Sequence, residues 1–153
     1  MTRERGFSYL IVMFLVAAVS IISVRALRNT LTTERREKEA QLLLVGQAYR
    51  TAIFNYYQNS PGSNKTFPPE LDALLLDQRA TRTSRPLRKL FRDPITGSTE
   101  WGVVRSGSGG VMGVYSLSTQ VPFKTNGFPP ELVGFANANS YQAWRFVFQP
   151  VTQ

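Results

Sequence analysis

The stretch that decides the fold is "FSYLIVMFLVAAVSIISV", residues 7 to 24, in which no side chain is charged. Arg5 lies just before this run, and Arg25 and Arg28 follow it. These 18 residues would form roughly 27 Å of helix at about 1.5 Å per residue, close to the ~30 Å hydrocarbon core of a bilayer. The run therefore predicts a helix long enough to span a membrane.

Two other interpretations of the apolar run are less favoured. A cleaved secretory signal has an apolar region of about 7 to 15 residues followed by small residues, whereas this run is longer and ends in arginine. A helix buried on all sides rarely lies at the end of a chain of 153 residues, because chain ends fray. The positive-inside rule does not decide which end of this helix would face the cytoplasm, because the numbers of arginines on its two sides are nearly equal.

The sequence after the apolar run continues to favour helix. Residues 25 to 58 contain one Gly and no Pro and are rich in Ala, Leu, Glu, Lys and Arg, which are strong helix formers. We therefore predict one helix over residues 7 to 57, roughly 76 Å long at about 1.5 Å per residue. Its last turns carry an apolar stripe that is expected to cover a sheet: Leu44, Ala48, Ala52 and Tyr56, with Val45, Tyr49 and Ile53 beside it.

The second half of the chain contains turn and strand patterns. After the turn formers at 59 to 64, "FPPELDALLLDQR" (67 to 79) predicts a short second helix. The segment "DPITG" (93 to 97) predicts a turn, because Asp, Pro and Gly each favour turn geometry.

Three strands are predicted after that turn. Segments 100 to 105 and 111 to 117 form a hairpin around the loop "SGSGG", and "WRFVFQ" (144 to 149) alternates at period two. The predicted fold class is α+β, with a long N-terminal helix packed on a small antiparallel sheet.

Composition excludes most familiar catalytic chemistry. The chain has no Cys and no His, so it lacks disulfides, thiolates, imidazole bases and the usual zinc ligands. Its glycines at 107, 109, 110 and 113 do not fit the phosphate-binding pattern G-x-G-x-x-G, and no G-K-[ST] follows them. After residue 94 the carboxylates are Glu100 and Glu131, too few for the six to eight oxygens that calcium prefers. We expect no enzymatic activity, no metal and no cofactor.

A basic segment follows the predicted second helix. The chain carries a net charge of +8, and such clusters attract nucleic acid or anionic lipid. Apart from Phe91, no aromatic side chain is interleaved for base stacking, so a solvated loop is the favoured interpretation. Candidate anion contacts are Arg82, Arg85 and Arg88, within a cluster that also includes Arg79, Lys89 and Arg92.

The first residues, "MTRERG" followed by Phe7, Ser8 and an apolar helix, resemble the class III leader of type IV pilins and pseudopilins. In that family a membrane peptidase cuts after the glycine on the cytoplasmic side, and the new amine is methylated. The resemblance implies cleavage after Gly6 and N-methylation of Phe7. It divides the chain into a leader (1 to 6), a transmembrane segment (7 to 24), a periplasmic half of the helix (25 to 57) and a head (58 to 153).

The segment "DPITGSTEWGVV", residues 93 to 104, resembles the Asp-Pro turn and following strand in pseudopilin heads of type II secretion systems. The resemblance implies a structural subunit of a pseudopilus for protein export, held in the inner membrane with a cytoplasmic N-terminus and a periplasmic head. Expected partners are other pseudopilins, the prepilin peptidase and the inner-membrane assembly platform. Nucleic acid is not expected. Small side chains that allow close helix approach in lipid are Ala17, Ala18 and Ser20.

The alternatives are a minor type IV pilin of a surface or DNA-uptake pilus, and a membrane-anchored enzyme, which the missing His and Cys disfavour.

One departure from the family concerns the fifth mature residue, which is usually Glu and is thought to neutralise the methylated amine of a neighbouring subunit in the membrane. This position is Ile11 here, and the next acid is Glu34, roughly 34 Å further along a helix. An unpaired charge in a low-dielectric environment is costly. The departure predicts a minor pseudopilin, present in few copies per filament.

Overall fold

A computed structural model of the chain describes residues 5–79 and 83–150, and for residues 5, 6 and 24–30 it describes the backbone alone. Helix α1 runs from Arg5 to Gln58. The strands are β1 (Gly102–Arg105), β2 (Val111–Tyr115) and β3 (Phe146–Val147). Three short 3-10 helices span Leu71–Leu74, Pro130–Phe135 and Tyr141–Ala143. The predicted α+β class, with a long N-terminal helix packed on a small antiparallel sheet, is confirmed.

The chain divides into two compact units, Met1–Glu37 and Lys38–Gln153. In the first unit, the described side chains from Phe7 to Ser23 are exposed, except that of Ala18, which is half-buried. Among the residues whose side chains are described, no helix is both long enough and apolar enough to cross a membrane. The predicted end of the transmembrane segment, Val24, lies outside those residues.

The sheet of the second unit has the order β1-β2-β3, with antiparallel pairs. The predicted β1–β2 hairpin is confirmed, and its loop is closed by a 2.8 Å hydrogen bond from Ser106 N to the Gly110 carbonyl. Gly109 in this loop has φ 89°, a conformation that favours glycine. The third strand is shorter than the predicted 144 to 149, because the chain up to Trp144 turns in 3-10 geometry and Trp144 N donates to the Tyr141 carbonyl.

The core forms where the last turns of α1 cover the sheet and its flanking turns. The buried residues of α1 recur at the three- and four-residue spacing of a helix face: Leu42, Val45, Tyr49, Ala52, Ile53 and Tyr56. The prediction was wrong at Leu44, which is 72% exposed, and in part at Ala48, which is half-buried. Several adjacent stripes of this segment are apolar, so periodicity alone did not identify the one that meets the sheet.

At Gly46, α1 and the sheet approach each other closely. A Cβ atom added at Gly46 would lie 2.3 Å from ring atoms of Phe146. The fully buried ring of Phe146 therefore lies where any larger side chain at position 46 would project. This contact explains the single glycine in an otherwise helix-favouring segment.

The predicted second helix is reduced to the 3-10 turn Leu71–Leu74. The backbone here bonds to a distant segment and does not continue as a helix, since the Leu74 carbonyl accepts a hydrogen bond from Leu87 N at 2.9 Å. Asp77 and Ser84 exchange two backbone hydrogen bonds of 2.8 and 2.9 Å. These cross-chain bonds replace the helical ladder that the leucine spacing predicts.

The contact at Gly46 leads to a stability prediction. Alanine has a helix propensity about 1 kcal/mol better than glycine, but its methyl group would meet the Phe146 ring. We expect Gly46→Ala to lower the free energy of unfolding by about 1 to 3 kcal/mol, as overpacking does, in urea denaturation.

Gly134→Ala is the matched control, because no atom lies within 4 Å of an added Cβ there, and its effect should stay within about 0.5 kcal/mol. A Gly46→Ala protein as stable as the parent would contradict the close packing of Phe146.

Candidate functional site

The N-terminal part of α1 is the largest exposed apolar surface described. Phe14 is 77% exposed, Phe7 69%, Leu10 65% and Ile22 66%. The apolar side chains at the consecutive positions 9 to 16 are all exposed, and at 3.6 residues per turn they surround the helix axis, so this segment has no polar face. Extensive exposed apolar surface marks sites that contact protein or lipid, and α1 is therefore the candidate assembly site.

Two serine hydroxyl groups in this segment are satisfied within the helix. Ser20 Oγ donates to the Val16 carbonyl at 2.8 Å, and Ser23 Oγ donates to the Val19 carbonyl at 2.9 Å. Serine hydroxyls bonded in this way need no water molecule, which makes them compatible with an apolar environment.

The three small residues predicted for assembly do not share one face. Ala17 and Ser20 are three residues apart and lie on the same side of α1. Ala18 is rotated by about 100° from Ala17 and lies on another side. The helix geometry therefore brings together Ala17 and Ser20 and separates them from Ala18.

The predicted processing site lies at the start of α1. Gly6 is the second residue of α1 as described, and Phe7 is exposed. Ile11 is 45% exposed, and the residues one turn away from it, Phe7 and Leu15, are apolar. Within the described residues, α1 carries no carboxylate before Glu34.

The predicted anion-contact residues are only partly described. Arg82 lies outside the described residues, while Arg85 and Arg88 are exposed. Within residues 5–79 and 83–150, neither forms an ion pair. Arg79 belongs to the same sequence cluster but differs from them, because its side chain is half-buried and forms hydrogen bonds within the protein.

Arg79 closes the C-terminal end of α1. Its Nε and Nη2 atoms each donate to the Asp77 carboxylate at 2.8 Å, and Nη2 also donates to the Tyr56 carbonyl at 2.7 Å. Its Nη1 donates to Ser60 Oγ at 3.1 Å and to Thr66 Oγ1 at 2.9 Å. A cation beside the last carbonyls of a helix also stabilises its dipole.

Electrostatics around Arg79 reflect these contacts. The hydrogen bond from Arg79 lowers the pKa of Asp77, and the same bond raises the pKa of Arg79. Burial raises the pKa of Tyr56, whose ring lies 3.4 Å from the guanidinium carbon of Arg79. The group is therefore a structural ion pair and not a poised acid or base.

Asp93 anchors the predicted turn at 93 to 97, which is confirmed. Its carboxylate is buried and accepts hydrogen bonds from Ile95 N at 2.9 Å and Thr96 Oγ1 at 3.0 Å. Ser116 Oγ, just after β2, donates to it at 2.6 Å. Gly97 ends the turn with φ 73°. The sequence indicated the turn but not its attachment to the sheet.

Glu39 is the buried carboxylate that sequence reasoning missed. Glu39 follows a run of charged residues from Glu34 to Lys38, but it is only 4% exposed. Tyr141 Oη donates to its Oε1 at 2.8 Å, and the backbone N–H groups of Phe123 and Lys124 donate to the same oxygen. The missed signal is that Glu39 lies three residues before Leu42, on the buried face of α1.

The described residues contain no group of three or more potential metal ligands. No protein-family model, curated protein or solved structure matches the chain. The described features that bear on function are the exposed apolar start of α1 and a head whose loops are held by buried carboxylates.

Removing Arg79 should be costly, because it would leave the buried Asp77 carboxylate unpaired and free the end of α1. We expect Arg79→Ala to lower the free energy of unfolding by roughly 3 kcal/mol, measured by urea denaturation. The matched control is Arg105→Ala, which removes the exposed pair with Glu70, 2.7 Å apart, and should cost less than about 1 kcal/mol. Equal effects of the two substitutions would contradict this role of Arg79.

Proposed function

We propose that this chain is a structural pseudopilin of a type II secretion pseudopilus that takes part in protein export. The observation that carries the proposal is the single helix α1, 54 residues long, which is apolar and exposed at its start and forms part of the head core at its end. A helix that is apolar on all sides is stable when lipid or other helices surround it. Such a helix can anchor one subunit and pack against the next.

The proposed membrane segment is residues 7 to 24, with the N-terminus cytoplasmic and the head periplasmic. Its support is the uncharged run of 18 residues, roughly the length that crosses a bilayer, and serine hydroxyls that are satisfied inside the helix. Arginines on both sides of the run would lie at the membrane surfaces.

Assembly is proposed to occur through the same helix. Ala17 and Ser20 share one side of α1, where small side chains let helices approach closely in lipid. Partners of this surface are other pseudopilins, while the prepilin peptidase and the inner-membrane assembly platform act on the subunit before and during polymerisation. Because Ile11 replaces the usual Glu, we propose a minor subunit.

A second candidate function is a minor type IV pilin of a surface or DNA-uptake pilus. It is favoured by the exposed side chains of Arg85 and Arg88, which form no ion pair within the described part of the chain. Both candidates share the leader, the anchor and the head. They differ in whether the basic segment contacts phosphate groups, which would make binding strongly dependent on salt.

The processing step gives the first test. We expect the mature chain from a host with a prepilin peptidase to begin at Phe7 and to carry one N-methyl group, as measured by intact-mass and N-terminal peptide mass spectrometry. Gly6→Leu should retain Met1, because the peptidase of this family requires glycine before the cut. Thr2→Ala is the control and should be processed normally. A parent chain that keeps its leader, or is cut after Val24, would rule out the pilin interpretation.

The abundance of the subunit gives the second test. If Ile11 leaves a methylated amine unneutralised at each helix contact, few copies will be tolerated per filament. Quantitative immunoblotting of sheared filaments should therefore detect this chain at well under one-tenth of the major subunit. Equal abundance would show that Ile11 is compatible with the filament body.

A further inference from the structure

Two apolar grooves lie on the head, one on each side of Leu44. The larger groove has a volume of about 730 Å³ and the smaller about 520 Å³. In both, α1 forms one wall and the segment 86 to 97 forms the other, and both contain Leu44 and Phe91. The larger groove also contains Leu43, Pro86, Leu87 and Leu132.

Leu44 has the most exposed large apolar side chain among the described residues of the second unit, Lys38–Gln153. It projects between two concave apolar surfaces, so its exposure belongs to a continuous patch. Both grooves are open to solvent, so they fit side chains of a ligand that lies along the protein surface.

The charge around the grooves is positive. Arg88 lines the larger groove and Arg92 the smaller, and both are exposed. The carboxylate of Asp93, which also lines the smaller groove, is buried and accepts three hydrogen bonds. Glu131, which precedes the groove residue Leu132, lies 3.9 Å from Arg50. A ligand in the grooves would therefore meet two cationic side chains beside apolar walls.

We propose that the grooves beside Leu44 are a docking site for an acidic amphipathic helix of a different protein. Apolar side chains at i, i+3 or i+4, and i+7 of such a helix would fill the grooves on both sides of Leu44, as in other helix-in-groove contacts. Its carboxylates would pair with Arg88 and Arg92. This inference concerns the head alone and does not depend on the proposed membrane or filament role.

Other occupants fit the site less well. A second copy that docked through the same face would bring like charges together, in a chain whose net charge is already +8. Duplex DNA would contact the arginines but would leave the apolar walls unfilled. A membrane surface is too flat to fill two grooves separated by a projecting leucine.

The experiment selects ligands from a random library of 16-residue peptides displayed on phage, with the full-length chain in non-ionic detergent as the target and the detergent alone as the counter-selection. We expect the enriched peptides to combine apolar residues at helical spacing with Asp or Glu. One enriched peptide is then synthesised with a fluorescent label, and its binding is measured by fluorescence anisotropy.

The variants Leu44→Asp and Arg88→Glu/Arg92→Glu should each weaken peptide binding at least tenfold. The charge effect should shrink in 500 mM salt, whereas the effect of Leu44→Asp should persist. Matched controls are Leu31→Asp, at a leucine of α1 that is 57% exposed, and Arg36→Glu, at an exposed arginine outside the grooves. Both should bind as the parent does, and circular dichroism should show all variants folded.

Three outcomes would overturn the proposal. The first is that no peptide is enriched, or that the enriched peptides are basic. The second is equal binding to the parent and to Leu44→Asp. The third is a different occupant, shown by duplex DNA binding that depends on the arginines alone, or by self-association that Leu44→Asp abolishes.

Discussion

The rest of the head depends on the close contact between α1 and the sheet at Gly46. A sheet of three short strands, the last only two residues long, has too few backbone hydrogen bonds to be stable by itself. Its apolar face is stabilised because Phe146 packs directly on the helix backbone at Gly46. The buried Trp144 continues this contact, with its ring stacked on Phe135 at 5.6 Å. The helix is therefore the structural support of the sheet.

Buried carboxylates fix the parts of the head that lack regular structure. Glu39 accepts hydrogen bonds from the backbone at 123 and 124 and from Tyr141. Asp77 pairs with Arg79 at the end of α1. Asp93 connects its own turn to Ser116. A buried charge without partners is strongly destabilising, so each of these carboxylates favours the one loop conformation that satisfies it. The head consequently obtains order from side-chain hydrogen bonds where strand ladders are short.

This construction suits a subunit whose ends have different roles. The exposed apolar start of α1 can be surrounded by lipid or by other helices, whereas the head keeps a defined surface through its internal hydrogen bonds. On that surface, Leu44 and the arginines at 88 and 92 combine an apolar and a cationic character. Under the proposed function, the start of α1 would take part in assembly, and the surface around Leu44 would bind another protein.

The sequence by itself determined the features that depend on local patterns. An uncharged run and a segment rich in helix formers predicted α1. Glycines and an Asp-Pro pair predicted the hairpin loop and the turn. Both kinds of signal act between residues that are close in sequence. Tertiary structure alone decided which stripe of α1 is buried, why Leu44 is exposed and where Glu39 and Arg79 find their partners. Glu39 and Tyr141 are 102 residues apart, and no periodicity reports a contact of that separation. The predicted second helix became a 3-10 turn for the same reason, since its backbone groups bond to distant residues and not to their own neighbours.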